Sequence, residues 1–202
     1  MSSASVPRNR PPAAVAAVVL AGGPGRRMGG RDKPMVPVDG VPMLARVLTA
    51  VAAIATEVVV VGPDRGDLGP GVLTVQEQPP GGGPVAGLDA GLAALRTAPD
   101  VVLVLAADLP RLDAPAVRRL VGAVDERDGA VFVDGDGRRQ VLCGAFRSAA
   151  LRTALSRVGD PAGVAVRQLI EGLDVGEVGW DESGIPPYFD CDTEADLRRV
   201  HE

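Results

Sequence analysis

The stretch Leu20-Ala-Gly-Gly-Pro-Gly-Arg-Arg-Met-Gly-Gly-Arg-Asp-Lys-Pro34 decides the fold, because it continues straight out of a short apolar run, Ala16–Ala21. An apolar run of that length ended by Gly22-Gly23 reads as a strand buried on both faces, the kind found in parallel sheets. The five glycines between Gly22 and Gly30 let the backbone approach an anion closely, and successive N–H groups there can cradle phosphate oxygens. Arg26, Arg27, Arg31 and Lys33 gather positive charge in a chain whose net charge is −5, where a polyphosphate would need it. A basic surface loop is the plainer reading, and the position directly behind a buried strand argues against it. The P-loop pattern is absent, since Lys33 lies between Asp32 and Pro34. The dinucleotide fingerprint begins at Gly23-Pro-Gly25 but meets Met28 where its third glycine belongs.

Outward from this turn, strands and helices alternate. Pro42–Ala55 carries Leu44, Val47, Leu48 and Val51 at helical spacing, Glu57–Val61 and Val72–Val75 read as strands, and Val85–Leu95 as a helix. Val101–Leu105 is the next buried strand. Asp113 caps a helix running to about Glu126, with Pro115 in its first turn. Asp134-Gly-Asp-Gly137 joins Ala130–Val133 to Val141–Phe146 as a hairpin. Helices near Ser148–Arg157 and Val164–Ile170, a strand at Leu173–Val178 and a closing helix over Thr193–Val200 complete the pattern. Such alternation predicts one α/β domain over residues 13–202, a Rossmann-like three-layer arrangement with a mainly parallel sheet and helices on both faces. Residues 1–12 read as a disordered tail, with no cleavage boundary of a secretory signal behind them.

Composition narrows the function. The chain has 202 residues, 46% of them hydrophobic, but only three Phe, one Tyr and one Trp, so its core must be Val, Ala and Leu. Few aromatics and an acidic balance argue against nucleic acid as a partner. Cys143 and Cys191 match no metal spacing, and a lone His201 leaves no His-rich metal site and disfavours a Ser-His-Asp triad. A reducing, cytoplasmic setting is expected. No apolar run approaches the roughly 20 residues of a membrane span.

Several acids and cations lie where ligands collect, beyond the carboxyl ends of the strands. Asp108 follows Val101–Leu105 and precedes Leu109-Pro110. An acid there can hold Mg²⁺ against phosphates, and turn chemistry is the alternative. Asp190 and Asp192 alternate along one extended segment and so share a face. One of them can be a second metal ligand, Asp190 being the first choice, while the other can cap the closing helix, whose cap is Asp192 or Thr193. Cys191 then points into the core, and Cys143 reads as packing. Arg138-Arg139-Gln140 lies at the hairpin, where its cations would suit a second, phosphorylated ligand, a solvated turn being the equal alternative. Arg139 is the candidate there, with Arg167 a second. Asp125–Asp128 reads as solvated surface, and Trp180 as core or cleft.

In this order, Leu20-Ala-Gly-Gly23, Arg26-Arg-Met-Gly-Gly30, Asp32-Lys33, Gly83-Pro-Val-Ala-Gly87, Ala107-Asp-Leu-Pro110 and Asp190-Cys-Asp-Thr193 resemble the nucleotidyltransferases that activate sugars, cofactors or alcohols with a nucleoside triphosphate. They look most like the molybdenum cofactor guanylyltransferases. The resemblance implies a nucleotidyltransferase fold that moves GMP from GTP to molybdopterin and releases pyrophosphate. Leu20, Ala21, Gly22, Gly23 and Gly25 would hold the nucleotide, and Arg27 and Lys33 would offset charge on the reacting phosphates. Asp108 with Asp190 would hold Mg²⁺. That family has an acid at the Gln78 position to read guanine, whereas here the acid is Glu77, one residue earlier. Val61 also replaces a polar residue, and the family's usual amides are Asp190 and Asp192. CTP, or another phosphorylated acceptor, therefore stays open beside GTP. A nucleotide-binding protein without turnover stays open too, while an NAD(P) oxidoreductase is disfavoured. A labile pterin acceptor implies transient contact with other proteins of its pathway.

Overall fold

The computed structural model describes residues 13–23, 31–181 and 183–201. The expected tail, 1–12, lies outside the described residues, as do Gly25, Arg26, Arg27 and Met28 of the glycine-rich turn. In chain order the elements are β1 (Val15–Leu20), a single 3-10 turn (Lys33–Met35), β2 (Pro37–Val38), β3 (Val41–Pro42), α1 (Met43–Val51), β4 (Glu57–Val61), β5 (Val72–Val75) and α2 (Pro84–Ala94). They continue with β6 (Val101–Ala106), α3 (Ala114–Val124), β7 (Gly129–Val133), β8 (Arg139–Arg147), α4 (Ser148–Val158), α5 (Val166–Ile170), β9 (Val175–Gly179) and α6 (Glu194–His201).

Seven strands form one sheet in the order β5-β4-β1-β6-β8-β7-β9. β1 pairs in parallel with β4 and β6, and β4 with β5. β8 runs antiparallel to both β6 and β7, and β7 pairs in parallel with β9. The expected mainly parallel α/β sheet is therefore present, with β8 as the reversed strand supplied by the hairpin at Asp134–Gly137. Asp134 Oδ1 holds that turn by accepting from the N–H groups of Asp136 (3.1 Å) and Arg138 (2.9 Å). A small antiparallel hairpin, β2–β3, was not expected from the sequence. It turns through Asp39 and Gly40, both at positive φ (50° and 77°), as an Asp-Gly hairpin turn requires.

The two faces of the sheet are covered separately. Leu44 and Val47 of α1 and Val117 and Leu120 of α3 pack on Ala17, Val19, Leu103 and Leu105. On the opposite face Leu88 and Leu92 of α2, Leu151 of α4 and Ile170 of α5 meet Val18, Val59, Val102 and Val104. Each such side chain contributes about 1.5–3 kcal/mol by leaving water, so Val, Ala and Leu suffice without many aromatics. A third, smaller cluster joins Val36, Val38 and Met43 to Cys191, Leu197 and Val200, and so fastens the C-terminal segment beside the hairpin. Arg111 adds a hydrogen bond to the Val200 carbonyl. Asp113 caps α3 as expected, accepting from the Ala116 N–H at 2.9 Å. Among the described residues no helix is long and apolar enough to cross a membrane.

α2 lies unusually close to the sheet because its inner stripe is glycine. A Cβ at Gly91 would stand 2.5 Å from Val18 Cγ1 and 3.0 Å from Val61 Cγ2. Gly91→Val should therefore overpack this layer, costing about 1–3 kcal/mol and lowering the melting midpoint by several degrees. An unchanged midpoint in a thermal melt would mean that α2 stands farther from β1 than described.

Candidate active site

The parallel register sets Leu20 of β1 beside Val61 of β4 and Ala106 of β6. The chain thus leaves three neighbouring strands at one edge: into Gly22-Gly23, into Gly62, and into Ala107-Asp108. Ala21 donates its N–H to the Val61 carbonyl (2.7 Å), and Ala107 donates to the Leu20 carbonyl (3.0 Å), so the three exits stay in step. Gly62 (φ 152°) touches the start of the glycine turn, for a Cβ there would stand 2.8 Å from the Ala21 carbonyl. Two adjoining cavities open at this edge, and both are lined by Ala106, Asp108 and Leu142. Asp108 sits where they meet.

Lys33, the only lysine in the chain, reaches this point from the 3-10 turn. Its ammonium donates to Asp108 Oδ2 and to Asp192 Oδ1. Burial works against its charge, but the carboxylates of Asp108 and Asp192 outweigh that and hold its pKa above the ordinary lysine value. Asp192 arrives from the far end of the chain. The Cys191 N–H donates to the Asp108 carbonyl (3.2 Å), while the Cys191 side chain is buried in the third apolar cluster. Alternation along this segment turns Asp190 and Asp192 back toward the cleft, as the sequence predicted. Thr193, one of the two expected caps, serves α6. Asp196 accepts from the Thr193 N–H (2.7 Å), and the Asp196 N–H donates to Thr193 Oγ1 (3.2 Å), a reciprocal cap. Asp190 stands at the mouth of the second cavity, where partial desolvation and then repulsion from Asp192 and Asp108 raise its pKa.

The first cavity, of about 290 Å³, takes in Leu20, Gly22, Gly23, Val61 and Glu77, with the N-terminal end of α2 at Gly83-Pro84. Glu77 is 7% exposed, and its Oε1 accepts from the Gly81 N–H at 2.9 Å. The tight turn behind it needs Gly82, where a Cβ would stand 2.9 Å from Ala86 Cβ. Gln78 is exposed and outside this lining. The side chain that faces the cavity is therefore the acid, one residue earlier than sequence position alone suggested. Ala21 takes part through its backbone.

The second cavity, of about 240 Å³, is lined by Gln140, Tyr188, Asp190 and Asp192 beside the shared residues. The cations expected to border it point elsewhere. Arg139 pairs with Glu177 (2.9 Å) across the sheet edge, because neighbouring strand residues face opposite ways and Gln140 takes the cleft side. Arg138 is exposed in the turn, and Arg167 is exposed on α5 and lines neither cavity. Tyr188 packs on Phe132 with ring centroids 5.6 Å apart. Sequence reasoning missed it, although it is the one tyrosine, two residues ahead of Asp190. Trp180 is half-buried against the core, edge-on to Phe132 at 5.8 Å, under the Arg119 guanidinium. Burial raises the pKa of both cysteine thiols, so neither is a poised nucleophile.

A hard divalent cation suits this donor set. Asp108 Oδ1 is buried without a hydrogen-bond partner, and a buried carboxylate oxygen calls for one. Among the described residues, no three His, Cys, Asp or Glu side chains gather tightly enough to hold a metal alone. Mg²⁺ commonly takes only one or two carboxylates and completes its shell with substrate phosphates and water.

The sequence matches the family described as MobA-like NTP transferase domain over residues 17–176. It is 33% identical to a molybdenum cofactor guanylyltransferase of Bradyrhizobium sp. over 195 residues, covering 91% of this chain and 90% of that protein. It is 38% identical to that of Rhodobacter capsulatus over 112 residues, 54% of this chain and 58% of the relative. It is 36% identical to one from Cupriavidus metallidurans, where it spans 62% of this chain and 64% of the relative. Among solved structures, the molybdopterin-guanine dinucleotide biosynthesis protein A of Archaeoglobus fulgidus superposes with a TM-score of 0.68 at 22% identity, covering 92% of this chain and 96% of that one. The 2-C-methyl-D-erythritol 4-phosphate cytidylyltransferase of Thermus thermophilus gives 0.68 at 22%, covering 93% and 97%. A match that takes in most of β1 together with Lys33, Glu77 and Asp108 agrees with the site built above, and the chain belongs to the MobA-like NTP transferase family.

Proposed function

We propose that this protein transfers GMP from GTP to molybdopterin, releasing pyrophosphate and forming the guanine dinucleotide form of the cofactor. The observation that carries the reading is the Lys33–Asp108 pair at the junction of two cavities. One cavity joins Gly22 and Gly23 to Glu77, groups suited to phosphates and a base, and the other offers Gln140 and Tyr188 to an acceptor.

The acceptor phosphate oxygen attacks the α-phosphorus of GTP in line. A new P–O bond forms as the bond to the bridging oxygen between α- and β-phosphorus breaks, and that electron pair leaves with pyrophosphate. No covalent enzyme intermediate is needed, so positioning and charge stabilisation carry the rate. Gly22 and Gly23 present backbone to the triphosphate without side-chain obstruction. Lys33 swings its ammonium from the carboxylates to the phosphates. Mg²⁺, held by Asp108 with Asp190 or Asp192, supplies charge neutralisation on the phosphoryl oxygens when bound. Glu77 accepts donors from the guanine edge, while Gln140 and Tyr188 offer an amide and a phenol to the acceptor. Two buried free thiols suit the reducing cytoplasm.

Incubation of the protein with each nucleoside triphosphate, Mg²⁺ and molybdopterin, with the product weighed by mass spectrometry, should give the guanine dinucleotide from GTP. A product from CTP alone would overturn the guanylyl reading. Asp108→Ala should lower pyrophosphate release by roughly 10²–10³-fold, the scale of one lost transition-state stabiliser. A protein that only binds nucleotide would release none before or after the change. Glu77→Gln keeps an oxygen for the Gly81 N–H but loses the charge. It should weaken GTP by roughly 10–100-fold, as loss of a hydrogen bond to a charged group does, and leave CTP and UTP nearly unaffected in a calorimetric titration.

A further inference from the structure

Arg65 lies in Asp64-Arg-Gly-Asp67, a stretch whose composition reads as a solvated loop after β4. Its side chain is nevertheless only 6% exposed. Nη2 donates to the Ala21 carbonyl at 2.8 Å and to Asp32 Oδ1 at 2.7 Å, and Nε donates to Asp32 Oδ2 at 2.7 Å. These acceptors stand on the two sides of the glycine-rich turn. Ala21 is the residue leaving β1, and Asp32 is the one before Lys33. A guanidinium fork matches a carboxylate with two parallel bonds, which fixes orientation as well as distance.

Asp32 occupies the N-cap position of the 3-10 turn, where an aspartate would ordinarily accept from the turn's own N–H groups. Its carboxylate makes no such bond. Arg65 holds it instead, and only the Asp32 carbonyl serves the turn, accepting from the Met35 N–H at 2.9 Å. The backbone entering Lys33 is thus tied to the end of β1 through one buried side chain from a different loop. We propose that Arg65 is a positioning residue for Lys33: it sets the lysine-bearing turn against β1 so that the ammonium reaches the cleft at Asp108. It needs no contact with nucleotide, and its effect on catalysis rests on the nucleotide reading given above.

Because Lys33 is the only lysine, protein grown on lysine labelled with ¹³C at the ε position gives a single side-chain resonance that reports this placement. Arg65→Met, which keeps the apolar stem, should move that resonance toward the free-lysine position and weaken GTP·Mg²⁺ by roughly 10–100-fold in calorimetry. Arg65→Lys adds a second lysine and is therefore read by calorimetry alone, where it should recover part of the affinity. Asp32→Asn, which attacks the pair from its other side, should reproduce the Arg65→Met resonance and answers for that variant if it fails to fold. In a Lys33→Ala background, Arg65→Met should produce no further loss of affinity. An unmoved resonance in Arg65→Met and Asp32→Asn, or an equal loss of affinity without Lys33, overturns the proposal. If the wild type itself does not bind GTP·Mg²⁺, the nucleotide reading fails, and the resonance alone still decides whether Arg65 positions Lys33.

Discussion

Carboxylates lining one cleft repel one another, a cation among them offsets that repulsion, and this site is arranged around such a cation. Asp108, Asp190 and Asp192 converge from the end of β6 and from the C-terminal segment. Lys33 sets its ammonium between Asp108 and Asp192. Partly buried charge is costly unless paired, so the lysine makes the acid cluster tolerable while no substrate is bound. The same charge is what a triphosphate would draw away.

The fold supplies this meeting point through strand order. Placing β1 between β4 and β6 brings the glycine turn, Gly62 and Asp108 out at one edge. Residues without side chains then let the backbones close on one another, with Gly62 against Ala21 and Gly91 against Val18. The C-terminal segment completes the site from outside the sheet. Cys191 is buried with Val36 and Met43, and that burial turns the two flanking aspartates toward the cleft. Packing around a thiol therefore places charge on its neighbours.

Much of this was legible in the sequence because it depends on local pattern. Apolar runs marked β1 and β6, the Asp-Gly-Asp-Gly turn marked the β7–β8 hairpin, and alternation around Cys191 marked which way two aspartates face. What was hidden depends on partners distant in the chain or on strand phase. Arg65 meets Asp32, thirty-three residues away, and nothing within Asp64–Asp67 signals it. Arg139 and Gln140 are adjacent, and a register shift in β7 between Val131 and Phe132 precedes their pairing with that strand, so charge alone favoured the wrong one for the cleft. Glu77 and Gln78 show the same difficulty in a loop. The β2–β3 hairpin carried a readable Asp-Gly turn, but strands of two residues leave no periodicity to recognise.

The most direct measurement is a crystal structure of the protein with a non-hydrolysable GTP analogue and Mn²⁺, with the ion located by its anomalous signal. The account predicts the triphosphate against Gly22 and Gly23, Lys33 on its phosphates, and the ion bound to Asp108. A triphosphate bound elsewhere, or an ion that leaves Asp108 paired with Lys33, would contradict it.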